Sequence, residues 1–372
     1  MKKIKILFTI PNFDTAGSGK ALLNIAKGLD KDVFEAQIMC LHDRGKFFKT
    51  VKETGIPIHI YPYLSKARPL VTLFSSSWKV SHKFKEINPD IIHSFHYAPD
   101  YTEALAAKMA NIHWVFTKKN MNWGGMSKNA WKLRSFLAKR IIIQNTDMRK
   151  EFYPNSNKIE LIPRGVDTRS FFPIRNQNSE LREKHNTQPN ERILITVANM
   201  APVKGIEFLI NAFSKLNDCS DNWVLWLVGD YDNPYGSELK KLVKEKKLQK
   251  KIIFIGKQLK VNMFLNEAEL FVLPTKNRGE GSPVALLEAM SCGLSVIGSR
   301  VPGIKDQLRD YPKHIFESED LDDLTNTLNN FLNMHKGDLK QQGNIFRKFV
   351  EENYTIEIEV KKHQLFYKKV VA

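Results

Sequence analysis

Residues 269–293 read ELFVLPTKNRGEGSPVALLEAMSCG. The apolar run LFVL ends at a proline, which predicts a short buried strand. A polar loop follows, and then a short helix with Ser282 as the N-cap and Pro283 at the first helical position. Gly293 ends that helix. The stretch therefore predicts a strand–loop–helix unit, the building block of a parallel sheet.

The same alternation of apolar runs and amphipathic runs covers the rest of the chain, which predicts βα units in both halves. The strands expected in the first half are residues 4–10, 35–41, 56–60, 90–93, 112–116, 141–143 and 159–162. Those expected in the second half are RILITVANM, NWVLWLVGD, KIIFIGK, ELFVLP, LSVIGS and HIFES. We predict an α/β protein of two Rossmann-like domains that face each other across a cleft.

The polar, proline-punctuated segment 171–189 is the expected linker between the two domains. This places an N-terminal domain at 1–170 and a C-terminal domain at 190–354. A chain of 372 residues is long enough for two full cores.

Composition excludes several classes of protein. No run approaches the ~18 apolar residues of a membrane span, and the apolar run after the first lysines is short and ends at Pro11, which favours a strand over a signal peptide. Cys40, Cys219 and Cys292 are widely spaced, which indicates a reducing compartment and no zinc site. We expect a cytoplasmic protein, with peripheral attachment to the inner face of the cytoplasmic membrane left open.

The net charge of +17 is concentrated in the first half of the chain. Residues 1–170 contain 28 Lys/Arg against 14 Asp/Glu, whereas the remainder contains 29 against 26. Such a field attracts polyanions, and nucleic acid, anionic lipid and phosphorylated substrates remain open as partners.

Glu280 and Glu288 bracket the start of the helix in the opening stretch. Because amides at a helix N-terminus bind anions, the backbone of Gly281, Ser282, Pro283 and Val284 is a candidate diphosphate site. Glu288 lies about 9 Å along the helix axis from Ser282, within reach of a ribose attached to the phosphates. Glu280 lies on the other side of the same phosphates. The alternative is a solvated loop residue and a surface helix position.

The pattern E-G-x-P-x-x-L-L-E-A-M-x-x-G-x-x-V-I-x-S resembles the donor motif of the retaining GT-B glycosyltransferases of family 4. Further similar segments follow the family's order over residues 4–310: DTAGSGKALLNIAKGL, IELIPRGVDTRSFFP, ITVANMAPVKGIEFLINAF, WLVGDYDNPYGSELKKLV and IIFIGKQ. The resemblance implies a GT-B fold, with the acceptor on the first domain and the nucleotide-sugar donor on the second.

The resemblance also implies roles for particular residues. Glu288 would bind the ribose, Glu280 the transferred sugar, and Lys204 the diphosphate. The last helix, 355–372, would pack back on the first domain. No D-x-D motif is present, so no divalent metal and no cofactor are expected.

The chain departs from the family pattern at two places. Arg164 stands where the hinge usually has Asn, and Ala198 with Asn199 stand where a Gly-Arg pair is common. Asn199 is therefore a donor-binding candidate, and Lys204 is the one side-chain cation expected on the diphosphate.

The sequence GSGKAL at 17–22 matches neither a dinucleotide fingerprint nor a P-loop. The third glycine of a dinucleotide fingerprint would fall on Leu22. A P-loop would need glycine at the position of Asp14 and serine or threonine at the position of Ala21. The resemblance gives Gly17 and Gly19 a place at the donor phosphates. A simple turn is the alternative.

Two histidines in PDIIHSFHYAPD follow a predicted strand, where α/β proteins bind ligands. The family has a histidine here that contacts the sugar and the reaction centre. His96 is the first candidate and His93 the second. No second nucleophilic carboxylate is evident, so we expect enzyme groups to orient the reactants and stabilise charge.

Residues 118–140 mix apolar and basic side chains, with Lys128, Lys132 and Lys139 on one side of a helical wheel. Two interpretations are open. One is a domain helix with a solvated basic face. The other is an interfacial membrane helix, in which aromatic residues such as Trp123 and Trp131 enter the headgroup region.

We therefore expect a retaining glycosyltransferase that moves a hexosyl or hexosaminyl group from a nucleotide diphosphate sugar to a glycan or lipid-linked acceptor, as in surface polysaccharide synthesis. One alternative is a nucleotide-sugar epimerase or other GT-B enzyme. Another is a basic protein that binds nucleic acid, which we do not expect because no nucleic-acid motif is present.

Overall fold

The computed structural model describes residues 2–14, 16–45, 47–65, 68–98, 100–122, 128–174, 179–216, 222–277 and 280–372. Its strands are β1 (Ile4–Thr9), β2 (Phe34–Cys40), β3 (Ile58–Ile60), β4 (Ile91–Ser94), β5 (His113–Lys118), β6 (Arg140–Ile143), β7 (Ile159–Leu161), β8 (Arg192–Val197), β9 (Trp223–Val228), β10 (Ile252–Gly256), β11 (Leu270–Leu273), β12 (Ser295–Ser299) and β13 (Ile315–Phe316). Each expected strand is present, with ends that differ by a few residues.

The helices are α1 (Ala16–Gly28), α2 (Phe48–Lys52), α3 (Leu70–Ile87), α4 (Thr102–Ala110), α5 (Lys128–Leu137), α6 (Thr146–Phe152), α7 (Ser179–Lys184), α8 (Ile206–Lys215), α9 (Pro234–Glu245), α10 (Val261–Glu267), α11 (Val284–Ser291), α12 (Ile304–Gln307), α13 (Leu321–Leu332), α14 (Lys336–Asn353) and α15 (Ile356–Val371). Single 3₁₀ turns lie at Pro202–Lys204 and Pro312–His314.

The first sheet is parallel, in the order β3-β2-β1-β4-β5-β6-β7. Both of its faces are buried, as a parallel sheet requires. Ile6 and Phe8 of β1 pack in one core with α1 and α15, whereas Leu7 packs in another with α3, α4 and α5. Alternate residues of one strand thus supply two cores.

The second sheet is also parallel, in the order β10-β9-β8-β11-β12-β13. Ile193 and Ile195 of β8 pack in a core with α10, α11 and α14, and Leu194 packs in one with α8, α9 and α13. Both sheets reverse their strand order beside the first strand of the sheet, β1 or β8. That reversal creates the switch point at which Rossmann-like folds bind ligands. The α/β class with two Rossmann-like domains is confirmed.

The chain divides into two compact units, residues 1–164 with 356–372 and residues 165–355. The expected linker, 171–189, falls inside the second unit. Phe171 is buried in the core of that unit, and α7 starts at residue 179. Hydrophobic burial therefore extends the second unit back over the polar segment that had indicated a boundary.

Helix α15 belongs to the first unit and packs against α1. A Cβ on Gly28 would lie 2.7 Å from Val360 Cγ2, so only glycine permits this approach. Arg164, the residue that replaces the usual Asn, has its Nε 3.2 Å from Glu359 Oε1. Among the residues that the structure describes, no helix has the length and apolar content needed to cross a membrane.

Candidate active site

The loop after β8 carries Lys204 at the end of a 3₁₀ turn. Gly205 follows with φ +62°, and a Cβ there would lie 2.1 Å from the Pro274 carbonyl oxygen. Lys276 N donates to Val203 O at 2.9 Å. Glycine at position 205 therefore lets the loop after β8 lie directly against the loop after β11.

Glu280 lies at the end of the loop after β11 and forms an ion pair with the Lys204 ammonium. Both side chains are mostly buried, at 21% and 12% exposure. Thr275 Oγ1 also donates to Glu280 Oε1, at 3.3 Å. The Thr275 carbonyl in turn accepts from Ser299 Oγ at 2.5 Å, which ties the loop to the end of β12. Lys204 and Glu280, predicted from separate motifs, are in direct contact.

Helix α11 begins at Val284, with Pro283 as its N-cap and no side-chain cap. The sequence placed the cap at Ser282, one residue earlier. Gln307 Nε2 holds the residues before the helix, because it donates to Pro283 O at 3.2 Å and to Ser282 Oγ at 3.5 Å. The first turn of α11 contains no acidic residue. A helix N-terminus of this kind favours a bound anion.

Glu288 is partly exposed on α11, roughly 6 Å along the axis from Val284. Its neighbour one turn on is Cys292. Burial, and then the Glu288 carboxylate, raise the pKa of the Cys292 thiol to about 12. The thiol is therefore neutral at physiological pH.

The sequence missed a second lysine at this end of the sheet. Lys276 forms an ion pair with Glu207 and its ammonium lies 5.3 Å from the centre of the Phe208 ring. Tyr235 also donates to Glu207, and burial together with that carboxylate raises the pKa of Tyr235. Lys276 lies in the same loop as Glu280, three residues after the end of β11. Its place just past the carboxyl end of a parallel strand is the sequence signal that could have indicated it.

Asn199 is exposed in the loop after β8. Its neighbour Ala198 is held close to Gly229, where a Cβ would lie 1.8 Å from the Ala198 carbonyl oxygen. Met200 N donates to Asp230 O at 3.0 Å. The loops after β8 and β9 are thus in backbone contact at the position of Asn199.

In the first unit, His96 lies just past the end of β4 and its backbone is held by Arg134 of α5. Arg134 is fully buried and donates to the carbonyls of Asp100 at 2.6 Å and His96 at 3.3 Å, and to Ser94 Oγ at 3.2 Å. Ser94 Oγ donates to the buried Glu103 carboxylate at 2.7 Å. A buried charged group is stable only with such partners.

Lys119, after β5, adds a second cation beside His96. Its ammonium donates to the Phe95 carbonyl, reaches Ser18 Oγ at 3.3 Å and lies 3.7 Å from the centre of the Tyr97 ring. Burial, then Arg134 and Arg164, hold the pKa of Lys119 well below its usual value.

The His96 imidazole is neutral in this setting. Burial, then the charges of Arg134 and Lys119, lower the pKa of His96 to about 3. Among the described residues, nothing hydrogen-bonds to its buried Nδ1. A neutral ring that does not titrate near pH 7 can donate or accept one hydrogen bond to a ligand.

His93, the second histidine candidate, lies in the core and not at a ligand-binding surface. Its exposure is 0%, and its ring nitrogens are 2.7 Å from Tyr367 Oη and 2.8 Å from Thr117 Oγ1. Burial holds the pKa of His93 well below its usual value. The alternation of the strand turns His93 inward, so we do not retain it as a catalytic candidate.

The two candidate glycines lie in the first turn of α1, not in a loop. Gly17 is exposed, and no atom of the described residues lies within 4 Å of a Cβ added there. Gly19 is buried, and a Cβ would lie 2.8 Å from the Phe13 ring. Packing thus accounts for Gly19, whereas no described neighbour of Gly17 requires a glycine there.

Segment 118–140 is not one amphipathic helix. Lys118 ends β5 and is fully buried, where burial lowers its pKa to about 7. Arg134 and Trp131 are also buried, while Phe136 is 75% exposed. Trp123 and the side chain of Lys128 lie outside the described residues. Helix α5 covers only residues 128–137, and residues 118 and 140 belong to strands. Lys132 and Lys139 are exposed, as the solvated basic face predicts, whereas Lys118 and Arg134 are buried.

Two family models match the chain: Glycosyltransferase Family 4 over residues 15–170 and Glycosyl transferases group 1 over residues 177–348. N-acetyl-alpha-D-glucosaminyl L-malate synthase of Bacillus anthracis is 31% identical over 156 residues, 42% of this chain and 39% of that protein. An Escherichia coli UDP-Gal:alpha-D-GlcNAc-diphosphoundecaprenol alpha-1,3-galactosyltransferase is 26% identical over 288 residues, 72% of each chain.

Among solved structures, that of Anabaena HepE in complex with UDP and glucose superposes with a TM-score of 0.81 at 18% identity, over 99% of this chain and 100% of HepE. The two Rossmann-like sheets and this likeness define a GT-B fold. With both family models matched in order, the chain belongs to the group 1, family 4 glycosyltransferases.

Proposed function

We propose that this glycosyltransferase uses a nucleotide diphosphate sugar and retains the anomeric configuration of the transferred hexosyl or hexosaminyl group. The observation that most supports a nucleotide diphosphate sugar as the donor is the ion pair of Lys204 with Glu280 beside the N-terminus of α11. A cation, a helix start without an acidic residue in its first turn and a carboxylate at the same end of the sheet suit a diphosphate flanked by hydroxyl groups. UDP and glucose in HepE, and UDP-Gal in the name of the E. coli relative, indicate the same class of donor.

In this proposal, Lys204 and the backbone amides of Gly281, Ser282 and Val284 bind the diphosphate, with Lys276 as a second cation. Pro283 has no N–H and sets the backbone at the helix start instead. Glu288 binds the ribose and Glu280 the sugar hydroxyls, while Asn199 and Gly17 complete the donor contacts. When the donor binds, the Lys204 ammonium contacts a phosphate oxygen and keeps a weaker contact with Glu280.

The reaction we propose breaks the bond between the anomeric carbon and the donor phosphate oxygen. The acceptor hydroxyl forms its new bond on the same face of the sugar and passes its proton to the departing phosphate. His96 orients the reactants as a neutral hydrogen-bonding group. Positioning and charge stabilisation supply the rate enhancement.

The acceptor we propose is a glycan or lipid-linked sugar, bound by the first unit at an anionic membrane surface. The surplus of 14 basic residues in positions 1–170 supports an acceptor that carries phosphate. The diphosphoundecaprenol in the name of the E. coli relative indicates the same chemistry.

A thermal-shift panel of UDP, ADP, GDP and UDP-glucose tests the donor assignment. Selective binding raises the melting temperature by mass action. Glu288→Ala removes the shift without changing the melting temperature of the apo protein. Glu352→Ala, an exposed glutamate on α14, is the matched control and keeps the shift. No shift with any nucleotide, or an unchanged shift in Glu288→Ala, contradicts the proposal.

A further inference from the structure

Helix α3 has an apolar face that no described part of the protein covers. Four large side chains in its first nine residues are exposed: Leu70 (63%), Val71 (80%), Phe74 (57%) and Trp78 (56%). Their spacing places them within one arc of about 100° on the helix. A different side of the same helix, with Leu73, Val80 and Phe84, is buried against the first sheet. The helix is therefore apolar on its core side and along part of its outer side.

The helix and the stretch of sequence before it are rich in basic residues. Residues 54–85 contain five Lys/Arg and no Asp or Glu. Lys79 and Lys85 are exposed, and Lys83 is within 2.7 Å of the first acidic residue after this stretch, Glu86. Among the described residues of α3, three are lysines and one, Glu86, is acidic. An apolar arc on a helix with a surplus of exposed lysines is complementary to an anionic partner with an apolar interior.

The size of the face favours a lipid surface over a protein partner. An aromatic side chain buries about 150–250 Å² when fully covered, and Phe74 and Trp78 are each a little over half exposed. Four such side chains fall well short of the roughly 800 Å² per partner in a standard protein interface. Tryptophan and phenylalanine beside lysines are, however, the composition of helices that lie in the headgroup region.

We propose that α3 rests on an anionic bilayer, with Leu70, Val71, Phe74 and Trp78 in the headgroup region and Lys79 and Lys85 against lipid phosphates. The inference rests on the membrane association proposed above and replaces segment 118–140 as its site. It does not depend on the sugar-transfer chemistry.

Helix α5 supplies an internal control, because it also exposes two large apolar residues, Leu133 and Phe136. The Phe136 ring already has the Lys158 ammonium 5.7 Å from its centre, and Lys158 donates to the Phe136 carbonyl at 2.9 Å. If any pair of exposed apolar side chains were enough for membrane binding, substitutions in α5 would lower the affinity for vesicles as much as substitutions in α3.

Co-sedimentation of the full chain with phosphatidylcholine vesicles, with and without 30% phosphatidylglycerol, tests the proposal. We expect binding to the anionic vesicles, and a fall in affinity of about 10-fold or more for Phe74→Ser/Trp78→Ser. Lys79→Gln and Lys85→Gln each lower affinity about 5-fold, most strongly at low salt. Leu133→Ser/Phe136→Ser leaves binding unchanged.

Trp78 gives a second readout. The other tryptophans that the structure describes, Trp114, Trp131, Trp223 and Trp226, are at most 3% exposed. A blue shift of tryptophan emission on vesicle addition should vanish in Trp78→Phe, which nevertheless sediments with the vesicles.

Three results would overturn the proposal: wild-type affinity in the α3 double variant, loss of binding in the α5 double variant instead, or equal binding to vesicles without phosphatidylglycerol. A concentration-dependent dimer that the α3 variant abolishes would assign the face to a second copy of the chain. The UDP thermal shift, measured on the same variants, is expected to be unchanged. Its absence in the wild type would count against the donor assignment and not against the membrane site.

Discussion

Lys204 is the residue on which the donor proposal depends most directly. The Lys204–Glu280 pair is largely buried, so each charge there would be costly to leave alone. Lys204→Met removes a charge-assisted contact to the diphosphate, each worth about 1.5–3 kcal/mol. We expect UDP affinity, measured by calorimetry, to fall about 10- to 100-fold.

Lys251→Met is the matched control for this prediction. Lys251 is 25% exposed, lies 3.8 Å from Glu191 and precedes β10 at the opposite end of the second sheet. Its substitution should leave UDP affinity unchanged. Equal losses in the two variants would mean that general charge, and not the position of Lys204, attracts the nucleotide.

Two buried histidines should make the first unit sensitive to acid. Burial lowers the pKa of His363 to about 4 and holds the pKa of His93 well below its usual value. The folded pKa is below the unfolded value near 6.5, so the stabilisation is complete above pH 6.5 and is lost as pH falls towards 4. The free energy of unfolding should fall by about 1 kcal/mol per histidine between pH 6 and pH 5, because the unfolded chain binds a proton there and the folded chain does not.

Urea unfolding at pH 7, 6 and 5 measures this loss. Because the lowered pKa of His96 adds a third contribution of the same sign, His363→Leu should reduce the slope by no more than about a third. A slope that is identical in the variant and the wild type would show that His363 titrates normally in the folded state.

At the scale of elements, two glycines predict opposite effects. Gly205→Ala must hold a left-handed φ and crowd the Pro274 carbonyl, so it should destabilise the protein by about 2 kcal/mol or more. Gly17→Ala meets open space in the first turn of α1, and helix propensity should stabilise it by up to about 1 kcal/mol.

Denaturant midpoints decide between these outcomes. If Gly17→Ala is stable but binds UDP more weakly, the space in front of Gly17 belongs to the ligand. Unchanged UDP binding would make Gly17 an ordinary helix residue.

Helix α15 is joined to the first sheet by a polar chain through its core. Tyr367 Oη and His93 Nδ1 are 2.7 Å apart, and His93 Nε2 is 2.8 Å from Thr117 Oγ1. Tyr367→Phe leaves a buried imidazole nitrogen without its partner, at a cost of about 1–3 kcal/mol. Urea unfolding should show this loss, with UDP affinity unchanged. A neutral effect would mean that packing alone holds α15.

For the whole molecule, the four core clusters each draw residues from one unit only. Separate cores predict two components in calorimetric unfolding. Because most of the proposed donor residues, including Lys204 and Glu288, lie in residues 165–355, UDP should raise the midpoint of that component more than the midpoint of the other. A single transition that shifts as a whole would show that the units unfold cooperatively.

The sequence by itself determined the fold class, the strands and the residues of the donor motif. Those features are written in local order: apolar runs of strand length, a Ser-Pro helix start, and Glu280 and Glu288 at fixed spacing. These features can be predicted from the sequence alone because strands and helix starts depend mainly on residues that are close together in the chain.

Only the tertiary structure decided which side chains meet. Three contacts join residues that are far apart in the chain: Lys204 with Glu280, Lys276 with Glu207, and Gln307 with Pro283. The same holds for His93, which strand alternation buries while His96 remains near the surface, and for Lys118 and Arg134, whose charges face inward. Burial and partner choice depend on how the sheet stacks its helices, and no local pattern of charge encodes that stacking.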